Sequence, residues 1–114
     1  MTGFAIATTA FSGVSFVAYG ISCLVSSSMR LEFERFRLAR FRPLVGWLEL
    51  MGGSAQLLAW LFYPLGLLGS GGLFCLMAMG VITRWRIRDR LWVTLPAIAY
   101  LVINAYLVMA FLNP

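Results

Sequence analysis

The chain has 114 residues, of which 61% are hydrophobic and 11% charged, with a net charge of +5. A soluble domain carries about 25% charged residues, so a chain this apolar cannot cover itself with a solvated surface, and an integral membrane protein of one domain is the class that remains. There is no histidine, which excludes histidine-ligated metal, histidine-ligated haem and Ser-His catalysis within this chain.

Residues 4–26 form an uncharged apolar run of 23, enough for a first span at about 20 residues per crossing. The run lacks the basic leader and small-residue cleavage site of a signal peptide. Thr9 and Gly13, and Ala18 and Ser22, are small-residue pairs four apart that let a neighbouring helix approach. The basic stretch 27–42 follows. Ser28 is placed to cap a short helix. Beyond it, Leu31, Phe33, Phe36, Leu38 and Phe41 fit neither the helical nor the strand period. They alternate with Arg30, Arg35, Arg37, Arg40 and Arg42. This composition predicts an interfacial segment, with aromatics in the headgroup region and guanidinium groups toward phosphates and water.

The second span is expected at about 43–62, with Pro43 in its first turn, where a missing N–H costs nothing. Glu49, Gly53 and Gln56 recur at i, i+4 and i+7 and so share one face. At 1.5 Å per residue Glu49 lies roughly 9 Å, and Gln56 roughly 20 Å, in from Pro43. That face should turn inward, because lipid satisfies neither a carboxylate nor an amide. Tyr63-Pro64-Leu65-Gly66 reads as a tight, uncharged turn.

The third span is expected at about 65–83, where Gly69, Gly72 and Gly80 join Gly46, Gly52 and Gly53 of the second as helix-packing positions. Residues 84–90 form a second basic loop with Arg84, Arg86, Arg88 and Arg90, and the fourth span runs over about 91–111. Pro96 falls in its second turn. Asn104 lies some 18 Å in from Trp92, a depth that predicts a meeting with Gln56.

The expected fold is all-α, a four-transmembrane-helix bundle in a single domain. All nine arginines fall on the side of the two basic loops. By the positive-inside rule that side is cytoplasmic, both termini lie on the other, and the chain belongs to an inner membrane of bacterial type. Arginines placed this way between apolar runs mark topology and not a nucleic-acid surface. Trp47, Trp85 and Trp92 near one boundary, and Trp60 and Tyr63 near the other, make an aromatic belt.

An ionisable group inside a span is by default a functional candidate. Glu49 is read either as an ion pair with Arg84, Arg86, Arg40 or Arg42, or as a proton-accepting carboxyl. Gln56 and Asn104 are read either as interhelical glue or as a polar patch that orients a small amphipathic ligand. Cys23 and Cys75 are expected at different depths and neither belongs to a Cys-x-x-Cys pair, against a membrane thiol oxidoreductase.

Three features together resemble the DoxX-like membrane proteins: RPLVGWLELMGG, with Gly46, Glu49, Gly52 and Gly53; the glycine-rich third span ending MAMGVITRWRIRD; and LPAIAYLVINAYL. The resemblance covers most of the chain, and the first span is its least diagnostic part. It implies a four-helix membrane bundle and, for the members with known roles, a link to quinones or to redox partners. The expected function is a non-catalytic accessory or scaffold subunit, with the lipid bilayer and other membrane subunits, or copies of itself, as partners. The competing expectation is a quinone-interacting oxidoreductase subunit with a ligand site at Glu49, Gln56 and Asn104. No cofactor ligand is evident in the chain; a quinone is the one cofactor the resemblance suggests.

Overall fold

The computed structural model describes residues 3–113, which are helical almost throughout. Five α-helices follow in order: α1 Gly3–Val25, α2 Ser27–Arg35, α3 Arg42–Leu57, α4 Tyr63–Arg86 and α5 Leu91–Leu112. Short 3₁₀ turns, Ala39–Phe41 and Leu58–Trp60, flank α3. Helices α1, α4 and α5 are long and apolar enough to cross a membrane. Helix α3 has 16 residues, short of the roughly 20 a span needs, and the second 3₁₀ turn carries its path on to Trp60.

The four longer helices pack up-and-down. Gly13 lies against Leu57 and Gly53, and Gly20 against Gly46 and Leu50, so α1 and α3 are antiparallel. Gly66 meets Ala59 and Gly69 meets Gly52, so α3 and α4 are antiparallel too. Phe4 packs on Tyr106 and Phe11 on Tyr100, and Tyr63 packs on Phe111. These contacts set the start of α1 beside the end of α5, at the end of the bundle opposite the arginines.

The α1–α3 contact is made by glycine. A Cβ on Gly53 would stand 2.7 Å from the Gly13 carbonyl oxygen, and one on Gly20 2.8 Å from that of Gly46. The two pairs are reciprocal and seven residues apart on each helix. Two backbones therefore touch twice, two turns apart, which is how membrane helices gain van der Waals contact where lipid supplies no hydrophobic drive. Gly69 makes the same approach to α3, its Cβ position 2.7 Å from the Gly52 carbonyl oxygen. Gly72 and Gly80 do not: a Cβ at either meets nothing within 4 Å. Gly72 is exposed on the outer side of α4 and Gly80 lies where α3 and α4 stand apart, so the expectation that these two pack against a helix of this bundle is corrected.

The basic stretch is more regular than its pattern suggests. Ser26, not Ser28, caps α2, its Oγ accepting from the Met29 N–H. A helix of nine residues needs only one buried anchor, and Phe33, 8% exposed, supplies it. The helix then closes with Arg37 in the left-handed region at φ 60°, while the Leu38 N–H reaches the Phe33 carbonyl and the Arg37 N–H that of Glu34. This is the Schellman closure, usually built on glycine. Arg88 at φ 56° repeats it at the end of α4, with bonds from Asp89 to Arg84 and from Arg88 to Trp85. So α4 runs to Arg86 and only 87–90 connect it to α5. At the other end the turn is Leu61 and Phe62; Tyr63 and Pro64 already start α4, where proline suits the first turn.

These glycine contacts separate two substitutions. Gly53→Val should destabilise the bundle by roughly 1–3 kcal/mol or more, because the added atoms meet backbone that cannot turn aside. Gly72→Ala should be neutral or stabilising by up to about 1 kcal/mol, the helix-propensity difference. Reversible unfolding in mixed detergent and denaturing-detergent micelles measures both; equal losses would sink the assignment of the two faces.

Candidate functional site

The interior holds two polar sites, and they are separate. The first joins all four longer helices. Gln56 Nε2 of α3 donates to Asn104 Oδ1 of α5 at 2.8 Å and to Ser70 Oγ of α4 at 2.9 Å. Ser12 Oγ of α1 donates to the same Asn104 oxygen at 3.4 Å, and Asn104 Nδ2 donates back to the Tyr100 carbonyl at 2.9 Å. All four side chains are fully buried. Gln56 and Asn104 thus meet as their depths predict. Ser12 and Ser70 were not visible as partners, because serine in an apolar helix usually bonds its own backbone. The spacing of Thr9, Ser12 and Phe16, at i, i+3 and i+7, is the signal that put Ser12 on the buried face of α1.

The second site is a cavity of about 420 Å³ at the arginine end. It is walled by α3 (Val45, Leu48 and Glu49) and by the last turns of α4 (Met77, Thr83 and Arg84), and roofed by Phe33 and Phe36 beside α5's Ala97. Neither Gln56 nor Asn104 lines it. The expected three-residue site is therefore divided: the amides close on each other, and Glu49 faces the cavity without them.

Glu49 is 6% exposed, and its Oε2 is enclosed with no hydrogen-bond partner. None of the four expected arginines pairs with it. Arg42 folds back onto the end of α1 and donates to the Cys23 and Leu24 carbonyls at 2.8 and 3.0 Å. This caps the helix with a cation at its negative end, and α1 receives it because Gly20 and Gly46 bring α3 so near. Arg84 goes to Asp89 at 2.8 Å and Glu32 at 3.6 Å, while Arg40 lies over the Phe41 ring.

The roof is pinned at one corner. Arg35 binds Asp89 at 3.0 Å and Glu32 at 2.8 Å, and the Arg35 and Arg84 guanidinium groups both lie 5.1 Å from the Phe36 ring centre. Arg35, and then Arg84, hold the Asp89 carboxyl below the usual carboxylate range, and Asp89 in turn raises Arg35. Asp89 accordingly ties α2 to the connection after α4. Among the described residues Arg30, Arg37, Arg86, Arg88 and Arg90 form no ion pair.

Cys23 is buried, its Sγ donating to the Arg42 carbonyl at 3.4 Å, and Cys75 is exposed, so the two thiols are unpaired. Among the described residues no group of three metal-binding side chains is brought together. No family model, curated protein or solved structure matches the chain.

Two measurements test these assignments. Asn104→Leu removes one of the two acceptors of the Gln56 amide and should cost about 1–2 kcal/mol in the same unfolding assay, while leaving the cavity's lining unchanged. The Asp89 carboxyl is lowered by folding, so its stabilisation is present above the ordinary carboxylate range and is lost as pH falls through its folded value. Amide protection over residues 27–41, corrected for intrinsic exchange, should therefore be present at pH 6 and fall in strong acid. Asp89→Asn should lack that protection at both.

Proposed function

We propose that this chain is a four-span integral membrane protein of the DoxX-like kind, with both termini on the non-cytoplasmic side of an inner membrane of bacterial type. In this reading it serves as a non-catalytic accessory subunit of a larger membrane assembly. The fourth crossing is assigned to α3. Its 16 residues rise about 24 Å, and the three of the following 3₁₀ turn add about 6 Å, which together match a hydrocarbon core of about 30 Å. The long axis of the molecule, 40 Å, suits the same bilayer with its headgroups. The orientation rests on all nine arginines lying at one end.

The observation that carries the accessory reading is the outward face of α4. Gly72, Cys75 and Met79 are exposed there at i, i+3 and i+7, with open space at Gly72. An interior helix glycine gives up about 1 kcal/mol relative to alanine. Within a membrane its usual return is the close approach of another helix, and no helix of this chain uses it.

A second reading is supported by the Glu49 cavity: a quinone-interacting subunit of an oxidoreductase, with the ligand held at Glu49 and not at the amide pair. Apolar walls with a single convergent polar group are the usual make-up of a small-ligand site.

Gentle extraction from the native membrane, native electrophoresis and mass spectrometry separate the two. Co-migration in fixed stoichiometry with other subunits is expected, and migration alone would sink the accessory reading. Glu49→Gln should leave that co-migration intact; if it also abolishes quinone-dependent turnover of the assembly, the second reading replaces the first.

A further inference from the structure

The cavity under α2 has three polar side chains in its wall, and two of them are already committed. The Thr83 hydroxyl donates to the Met79 carbonyl at 2.8 Å, and the Arg84 guanidinium is bound to Asp89. Glu49 is the third, more than nine-tenths buried, with Oε2 enclosed and no donor offered to it among the described residues. The Cys23 thiol, on the neighbouring face of α1, is turned to the Arg42 carbonyl. A buried carboxyl without a donor is costly to retain, so the missing element is a donor from outside the protein.

The surroundings restrict what can bring it. All nine arginines gather at this end of the bundle, with only four acids in the chain, Glu49 among them. A cationic ligand would have to cross that positive rim, and two aromatic faces of the kind that hold a cation, those of Phe36 and Phe41, already carry arginines. An anionic head would meet Glu49 itself. A neutral molecule faces neither barrier. The remaining wall is apolar, with Phe33, Val45, Leu48 and Met77, and about 420 Å³ accommodates one small ligand.

We propose that the cavity between α3 and α4 is a binding site for a neutral lipophile bearing a hydroxyl group, which donates its hydrogen bond to the Glu49 carboxyl while its apolar body fills the space beneath Phe33 and Phe36. This rests on the ligand-holding reading of the cavity and adds the polar group the ligand must carry.

The test uses the full chain in lipid nanodiscs and a matched pair of probes, 4-octylphenol and its methyl ether 4-octylanisole, with empty nanodiscs as the baseline for partition. Native mass spectrometry counts the molecules retained per chain, and titration calorimetry gives the affinities. One 4-octylphenol per chain is expected, with the ether weaker by roughly tenfold or more, since it lacks only the donor. Glu49→Leu should erase the difference between the two probes. Glu49→Gln, which keeps an acceptor oxygen and the side chain's shape, should retain part of it. Equal affinity for phenol and ether in the unchanged protein overturns the hydroxyl assignment and leaves the ligand-holding reading standing. Absence of saturable binding by either probe overturns both, and assigns the space to lipid chains or water.

Discussion

The bundle depends on two places where the α1 and α3 backbones touch. The Gly13–Gly53 and Gly20–Gly46 pairs fix how the helices lie along each other. A slip of one residue would put side chains where carbonyl oxygens now stand. That register decides the rest of the interior. It brings Ser12 of α1 to the level where Gln56 of α3 meets Asn104 of α5. It brings Arg42, at the start of α3, within reach of the last carbonyls of α1. Held there, Arg42 does not pair with Glu49, two turns further along the same face of α3.

The two polar sites differ in kind. In the Gln56–Asn104 centre, each amide nitrogen finds an acceptor and four helices each contribute one side chain, while Gln56 Oε1 is left buried without a partner. Such a network gives a lipid-embedded bundle directional contacts that dispersion alone does not provide. Glu49 stands outside any such network. It lies on the same face of α3 two turns away, but α4's approach to α3 is made by Gly66 and Gly69, in the first half of α4. The second half of α4 has no such contact and walls the cavity instead. The same two helices are thus sealed at one level and parted at another, and the polar residue is hydrogen-bonded through its nitrogen at the first and unpartnered at the second.

Much of this was legible in the sequence for a physical reason: within a membrane, composition constrains strongly. Uninterrupted apolar runs gave α1, α4 and α5, and the placement of arginine marked one end of the bundle. The depth of Gln56 and Asn104 gave their meeting, since a helix rises by a fixed step per residue. Less legible were features set by a neighbour's side chains. Gly69 looks like Gly72 and Gly80 in sequence, yet only Gly69 touches α3: Gly72 is rotated away from it, and Gly80 faces the cavity where the two helices part. The extent of helix α2 was hidden because periodicity is a poor guide when one phenylalanine is the whole buried face. Its end, and that of α4, were hidden because arginine occupies the left-handed positions where glycine would announce a stop.

The Schellman closures at Arg37 and Arg88 also explain why the cavity has a roof. Each turns the chain sharply after a helix, and each does so beside the same corner. The first returns Leu38 onto Phe33, so that both line the cavity. The second presents Asp89 to Arg35 across 54 residues of sequence. The roof is therefore held to the bundle by polar contacts at its rim, where water can take part, and by Phe33 beneath. A lid fixed this way leaves the apolar interior of the cavity intact when its rim contacts exchange. In a chain where almost every other contact is buried backbone or packed side chain, the basic segment is the element with most of its attachment in solvent-accessible ion pairs. The one solitary carboxyl of the interior lies directly beneath it.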